Sequence, residues 1–409
     1  MYRWYVLSML ALTYAFSVMD RQIMSILAQD IKLEFGLTDT QVGLLGGFAF
    51  GLLYAVLGVP IARLADRVNR VNIIWSLATA LCGAATSYAQ LFLARMGVGV
   101  GEAGGNAPSH STISDYFEPE RRGFAMSIYS LGTSVGGLLG LVVGGYAAQF
   151  YGWRWAFVVL GVPGILLALA VKLTIREPDR GAADARQPSA GSTTSFRDAV
   201  QALLGNRVYR QVLIGHTLAV FVGYAIFLWL AVLYLREFDL AQGEVGSIIG
   251  AVNLFAGVPG LLIGGYLVDR FGVADIRWRM RIPALALCFA LPIYLAALWQ
   301  TSWVSMTVFF SAGIFLYQVS HAPGLAVVQS AVHPSHRALA ASLVFLFANL
   351  FGLGAGPFVV GYLSDLFLAA GYERSLQPAL AVSILVLLPA IYWYWRSATS
   401  LREAENHTG

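Results

Sequence analysis

Four ionisable residues stand in stretches otherwise too apolar to carry charge: Asp20 and Arg21, then Arg95 and Glu102. A charge in mid-bilayer costs roughly 2.5–3.5 kcal/mol on insertion scales, so such residues are expected in pairs and at working sites. Arg95, Gly99, Glu102, Asn106 and Ser109 recur at spacings of 4, 3, 4 and 3, which puts them on one face of a helix. Arg95 and Glu102 lie about 10.5 Å apart along that face at 1.5 Å per residue. Long side chains, water or a third group must connect them, and Asp20 is the natural third member. The chemistry open to this set is proton exchange. Burial and a neighbouring guanidinium act in opposite directions on a carboxylate's proton. A site that opens to one side and then the other can therefore load and release it, with Arg95 exchanging a carboxylate for an anionic substrate group. The structural alternative is an ion pair that fixes one helix against another. Four charges gathered on two helices favour the functional reading. Arg21 points about 100° away from Asp20 and is as well placed to face a different helix.

Those residues need a scaffold that lies within lipid. The 409 residues are 58% hydrophobic and only 12% charged, with a mean hydropathy of +0.68. A soluble chain carries about a quarter charged residues. About 20 apolar residues cross a bilayer. Such runs occur near 4–28, 41–62, 71–88, 90–114, 123–148, 153–175, 208–235, 243–268, 281–299, 303–331, 338–364 and 376–396. The expected fold is an all-α membrane protein of twelve transmembrane helices in two pseudo-symmetric six-helix bundles. The bundles are residues 1–175 and 207–409, and the polar stretch 176–206 is a mobile cytoplasmic linker. With the N-terminus inside, 20 of the 26 basic residues fall on the inner side, which predicts that both termini are cytoplasmic. The first apolar run is too long for a cleavable signal. Cys82 and Cys288 both read as packing residues. No metal-ligand spacing, no catalytic constellation and no nucleic-acid-binding patch appears. The chain is read as a carrier without cofactor, and not as an enzyme or a channel.

A motif recurs at the ends of four spans. Ala62-Arg63-Leu64-Ala65-Asp66-Arg67 is followed by Gly145-Tyr146-Ala147-Ala148-Gln149, Gly265-Tyr266-Leu267-Val268-Asp269-Arg270 and Gly361-Tyr362-Leu363-Ser364-Asp365. The first and third lie 203 residues apart, and the second and fourth 216. Each half of the chain thus repeats the other and repeats within itself, as in transporters built of nested three-helix units. Small residues at these points let helices approach closely. The motif, with Tyr151-Gly152-Trp153-Arg154-Trp155-Ala156-Phe157, resembles the major facilitator superfamily; Ala62 and Asn69 replace the usual glycines. Asp66, Arg67, Arg70, Asp269 and Arg270 read as a cytoplasmic gate, and Asp115 as part of the same inner network.

Several stretches narrow the resemblance. These are Ser17-Val18-Met19-Asp20-Arg21, Arg95-Met96-Gly97-Val98-Gly99-Val100-Gly101-Glu102-Ala103, Ala107-Pro108 and Ile113-Ser114-Asp115-Tyr116-Phe117. This set looks like the spinster family of sphingolipid and lysophospholipid transporters, most strongly over residues 1–175. The resemblance implies an amphiphilic substrate, a monomer, and sensitive groups at Asp20, Arg95 and Glu102. It also implies that spans 7 and 10 line the cavity, which places His216, Tyr224, Gln318 and His321 beside Arg95, Arg21 and Asn106 as substrate contacts. The aromatics of span 7, Phe221, Tyr224, Phe227 and Trp229, read on their own as packing or lipid-facing. The expected activity is proton-coupled movement of a sphingolipid- or lysolipid-like amphiphile across a bacterial cytoplasmic membrane. A symporter of small organic anions or an exporter of drug-like compounds is the alternative.

Overall fold

The computed structural model describes residues 2–54, 73–103, 106–175, 196–333 and 336–408, and no strand occurs among them. The first helices are α1 (Tyr2–Phe35), α2 (Asp39–Gly46), α3 (Ile73–Gly83), α4 (Tyr88–Ala103), α5 (Asn106–Tyr116), α6 (Pro119–Tyr151) and α7 (Trp153–Thr174). After them come α8 (Phe196–Gly205), α9 (Arg207–Glu237), α10 (Gln242–Val252), α11 (Val258–Gly272), α12 (Trp278–Leu298) and α13 (Trp303–Ser330). The last are α14 (Arg337–Phe347), α15 (Ala355–Ala369), α16 (Leu376–Ile384) and α17 (Leu387–Thr408). Eight helical stretches are long and apolar enough to cross a membrane among the described residues. They coincide with the fifth to twelfth expected spans. α1 has the length, with 34 residues, but carries Asp20 and Arg21. Residues 55–62 of the second run and 71–72 of the third lie outside the described residues.

The chain groups into two compact units: Met1–Gly191 with Leu230–Gly250, and Ser192–Trp229 with Ala251–Gly409. The end of α9 and most of α10 group with the first unit. Of the expected linker, residues 176–195 lie outside the described residues, and Phe196–Gly205 is a helix. Its Ala199 and Leu203 are buried, four residues apart on one face.

In the first unit a ladder of glycines sets the position of α1. Gly132, Gly136, Gly140 and Gly144 fall four residues apart on α6 and meet Ala11, Ala15, Met19 and Ile23, four apart on α1. A Cβ on Gly140 would come within 2.8 Å of Met19 Cα, and one on Gly136 would strike the Ala15 carbonyl. Gly136→Val is expected to lower stability by about 1–3 kcal/mol through overpacking. Thermal unfolding in detergent would show it, with Gly123→Val as control, since nothing lies within 4 Å of a Cβ there. At the far end of α1, Glu34 accepts from Trp153 Nε1 and from Arg154 Nη1, both at 2.6 Å. The Arg154 guanidinium holds the Glu34 carboxyl below its ordinary range. That is the task of the Gly152-Trp153-Arg154 motif: Gly152, at φ +85°, turns the chain sharply between α6 and α7.

In the second unit, close glycine contacts join α11 to α13, through Gly260 and Gly264, and α15 to α9, through Gly356. Two π-helical segments interrupt its long helices, Asn253–Gly257 between α10 and α11 and Ala348–Gly354 between α14 and α15. Each holds the triplet Asn-Leu-Phe, and the two triplets lie 96 residues apart. The Gly-Tyr-Leu-x-Asp motifs at 265 and 361 are separated by the same 96. Asn349 Nδ2 donates to the Phe345 carbonyl at 2.7 Å, at the point where the widened turn disturbs the backbone ladder.

Two expectations about small residues are corrected. Cys82 is buried, but Cys288 is exposed on α12; hydropathy alone does not separate a lipid-facing residue from a core one. Gly145 does meet another helix, at the Gln242 carbonyl, whereas a Cβ on Gly265 would meet nothing within 4 Å. The motif tyrosines Tyr146, Tyr266 and Tyr362 are all exposed, as suits rings at the end of a span.

Candidate functional site

α1 carries Asp20 and Arg21 towards α4, which carries Arg95 and Glu102. The helical residues 48–54 add Phe50 and Tyr54, and α3 adds Trp75 and Thr79. Glycines on α4 bring these layers together. A Cβ on Gly99 would lie 2.5 Å from the Phe50 carbonyl, and one on Gly101 would lie 2.5 Å from the Trp75 amide. Asp20, Arg95 and Glu102 are only 2%, 2% and 3% exposed.

The pairing differs from the order in which the sequence lined the charges up. Arg21, not Arg95, serves Glu102, donating Nε to Oε2 at 2.5 Å. The Arg21 guanidinium also lies 5.1 Å from the Phe50 ring and 4.9 Å from the Tyr54 ring. Arg95 shares Phe50, at 5.6 Å, and donates Nη1 to the backbone carbonyl of Asp20 at 3.3 Å. One ring thus faces two guanidiniums. The Asp20 carboxylate takes its hydrogen bond from a hydroxyl: Thr79 Oγ1 donates to Oδ2 at 2.8 Å. Asp20 Oδ1 and Glu102 Oε1 have no hydrogen-bond partner among the described residues. Two acids and two guanidiniums make a set that is formally neutral when all four are ionised.

The second unit holds a separate polar cluster. His216 and His321 lie with ring centroids 5.2 Å apart, and Tyr317 lies 6.2 Å from His321. The Tyr394 hydroxyl and His216 Nδ1 are 3.4 Å apart. Tyr224 packs edge-on against Phe227 at 6.1 Å. Gln318 faces α11, where a Cβ on Gly260 would lie 3.1 Å from its own Cβ. Trp229 is fully buried and donates Nε1 to the Pro357 carbonyl at 2.8 Å; it belongs to the core and not to the lipid face.

Among the expected gate residues, Asp66, Arg67 and Arg70 lie outside the described residues, as does the side chain of Asn106. Asp115 stands near the end of α5, while Asp269 and Arg270 are exposed in the last turn of α11.

The sequence reading missed a network in the first unit. Asp39, 2% exposed, accepts Lys32 Nζ at 2.5 Å and both terminal nitrogens of Arg236, at 2.8 and 2.6 Å. Gln29 Oε1 takes Arg236 Nε at 2.9 Å, and Gln242 Nε2 donates to Asp30 at 3.0 Å. The readable signal was Thr38-Asp39-Thr40-Gln41, a capping box that starts α2 and presents Asp39.

The sequence profile of the Major Facilitator Superfamily matches residues 10–357 and 234–406. An "MFS-type efflux pump" of Mycolicibacterium smegmatis is 32% identical over 410 residues, 98% of this chain and 94% of that one. "Protein spinster homolog 1" of Xenopus laevis is 28% identical over 85% of this chain and 70% of its own length. A crystal structure of a bacterial homolog of the human lysosomal transporter Spinster, in an inward-facing and unoccupied conformation, superposes with a TM-score of 0.87. It is 29% identical and covers 98% of each chain.

Proposed function

This chain belongs to the Major Facilitator Superfamily of membrane transporters, and we propose that it is a proton-coupled carrier of a sphingolipid- or lysolipid-like amphiphile, working by alternating access. The observation that carries this reading is the buried cluster in which Glu102 holds Arg21 while the Asp20 carboxylate oxygens accept from no guanidinium, Arg95 reaching only the Asp20 backbone carbonyl. A buried carboxylate with no guanidinium bonded to its oxygens is the natural place for an exchangeable proton. One proton on Asp20 would leave the four-residue set with a charge of plus one. An anionic headgroup at Arg95 and Arg21 would balance it, so each species favours the arrival of the other. Asp20, Glu102 and Arg95 are the coupling residues in this proposal. The polar side chains of His216, Tyr224, Gln318 and His321, with Asn106, meet the neutral parts of the substrate. Asp66, Arg67, Arg70, Asp115, Asp269 and Arg270 act at the cytoplasmic end. The membrane is the bacterial inner membrane, with both termini inside. The spinster-like relatives support the choice of an amphiphile, and the efflux-pump relative keeps export of drug-like compounds, or symport of small organic anions, as the alternative.

The test is proton flux into proteoliposomes holding a pH-sensitive dye, on addition of a lysophospholipid or of its tail-less headgroup. Flux is expected with the lysophospholipid alone. It should disappear in Asp20→Asn while that variant unfolds at the same temperature as the wild type, since Asn keeps an acceptor for Thr79. Equal flux with the tail-less headgroup would move the assignment to small anions. Unchanged flux in Asp20→Asn would remove Asp20 from the proton path.

A further inference from the structure

We propose that the start of α12, together with α17, forms a binding site for an anionic membrane phospholipid. Arg277, Arg279 and Arg281 crowd the first turn of α12, the end of a helix whose dipole already disfavours cations. Arg277 is matched. Its backbone N–H and Nε donate to Asp275 Oδ1 at 3.0 and 3.1 Å, and Nη2 lies 2.8 Å from Oδ2. Those hydrogen bonds hold the Asp275 carboxyl down at about 2, so the acid stays committed to Arg277 at any physiological pH.

Arg279 and Arg281 meet no carboxylate among the described residues. Arg279 lies along the end of α11, its Cγ 2.7 Å from where a Cβ on Gly272 would stand. The Arg281 guanidinium sits 5.9 Å from the Trp278 ring and 5.5 Å from the Trp395 ring, between two indoles from two packed helices. On a soluble protein two unmatched arginines would mean nothing. Here they begin an apolar 21-residue span, Trp278–Leu298, which sets them at headgroup level, where indoles also gather.

The surface leading away from them is apolar on both helices. On α12 it runs from Arg281 through the half-buried Leu285 to Cys288 and Phe289, the last two exposed. On α17 it runs from Trp395 through Tyr392 to Leu388, exposed by 45, 55 and 55%. A phosphodiester at the Arg281 guanidinium, with acyl chains along these stripes and Arg279 adding positive charge from the α11 side, matches both the charge and the apolar track. The site is independent of what the carrier moves, so its failure would leave the transport proposal standing.

The probe is phosphatidylglycerol. Native mass spectrometry of the wild-type protein released from nanodiscs of equal phosphatidylglycerol and phosphatidylcholine is expected to show the anionic lipid retained preferentially. Arg279→Gln with Arg281→Gln should lose roughly tenfold to thirtyfold in that preference, the loss expected when two interfacial arginines stop contributing. Trp395→Ala should weaken it less. Free inorganic phosphate at millimolar concentration should not displace the lipid. No preference in the wild type would overturn the proposal whatever the variants do. So would a preference that survives in the folded double variant, or displacement of the lipid by phosphate.

Discussion

Glu102→Gln is expected to abolish substrate-driven proton flux and to lower stability by about 3 kcal/mol. Removing one partner of a buried ion pair typically costs about 3–5 kcal/mol, because the other charge is left uncompensated. The lower end applies here, since the Arg21 side chain is 23% exposed and keeps its contacts with Phe50 and Tyr54. Arg21→Gln in the Glu102→Gln background should recover most of the stability, as neighbouring residues in one network are not additive. Transport should stay absent in the double variant. Thermal unfolding and proteoliposome flux on the four proteins of this cycle separate the two roles. Additive stability losses would mean that the 2.5 Å contact is not a working pair. Full transport in the double variant would mean that the pair only holds α1 to α4.

Asp39→Asn should loosen residues 230–250 with a second large effect, again about 3 kcal/mol. One buried carboxylate there serves two cations, Lys32 and Arg236. Without its charge they face each other across a neutral amide. Lys32→Met should cost much less, because the two-point contact with Arg236 remains. Hydrogen exchange reads this directly. Amides in 230–250 should lose protection on the order of a hundredfold in Asp39→Asn, at 1.4 kcal/mol per factor of ten, while those in α12 and α13 keep theirs. Unchanged exchange in 230–250 would show that the segment is held by packing, such as Gly246 against the Leu141 carbonyl, rather than by the ion pairs.

Much of the architecture was legible because lipid imposes a coarse rule: long apolar runs become helices, and charges within them stand out. The same rule exposed Asp20, Arg21, Arg95 and Glu102, and in the structure the glycines of α4 admit Phe50 and Trp75 as close neighbours. Their partners were not legible. An offset of about 100° between Asp20 and Arg21 fixes where the side chains leave the helix, and Arg21 is long enough to travel from there to Glu102. Phe50 and Thr79 carry no charge, so nothing in an apolar run marked them as neighbours of a guanidinium and a carboxylate. The α8 helix buries Ala199 and Leu203, but two small or apolar residues next to a polar, Ser- and Gly-containing stretch are too short a period to mark it in the sequence. Cys288 shows the limit of hydropathy within a membrane, where lipid-facing and core positions are equally apolar.

The two π-helical segments bear on any helix-wheel reading of the second unit. A turn that takes in one residue more than an α-turn shifts the phase of everything after it by about 100° relative to an unbroken helix. Gly260 and Gly264 meet α13, and Gly356 meets α9, in the phase that follows the widened turns. The Gly-Tyr-Leu-x-Asp motifs lie further along in that same phase. Each π turn therefore acts as a frame-setter within a continuous rod. Two halves of one helix address different neighbours, although no loop divides them, and removing a single residue from the turn would hand the far half the wrong face.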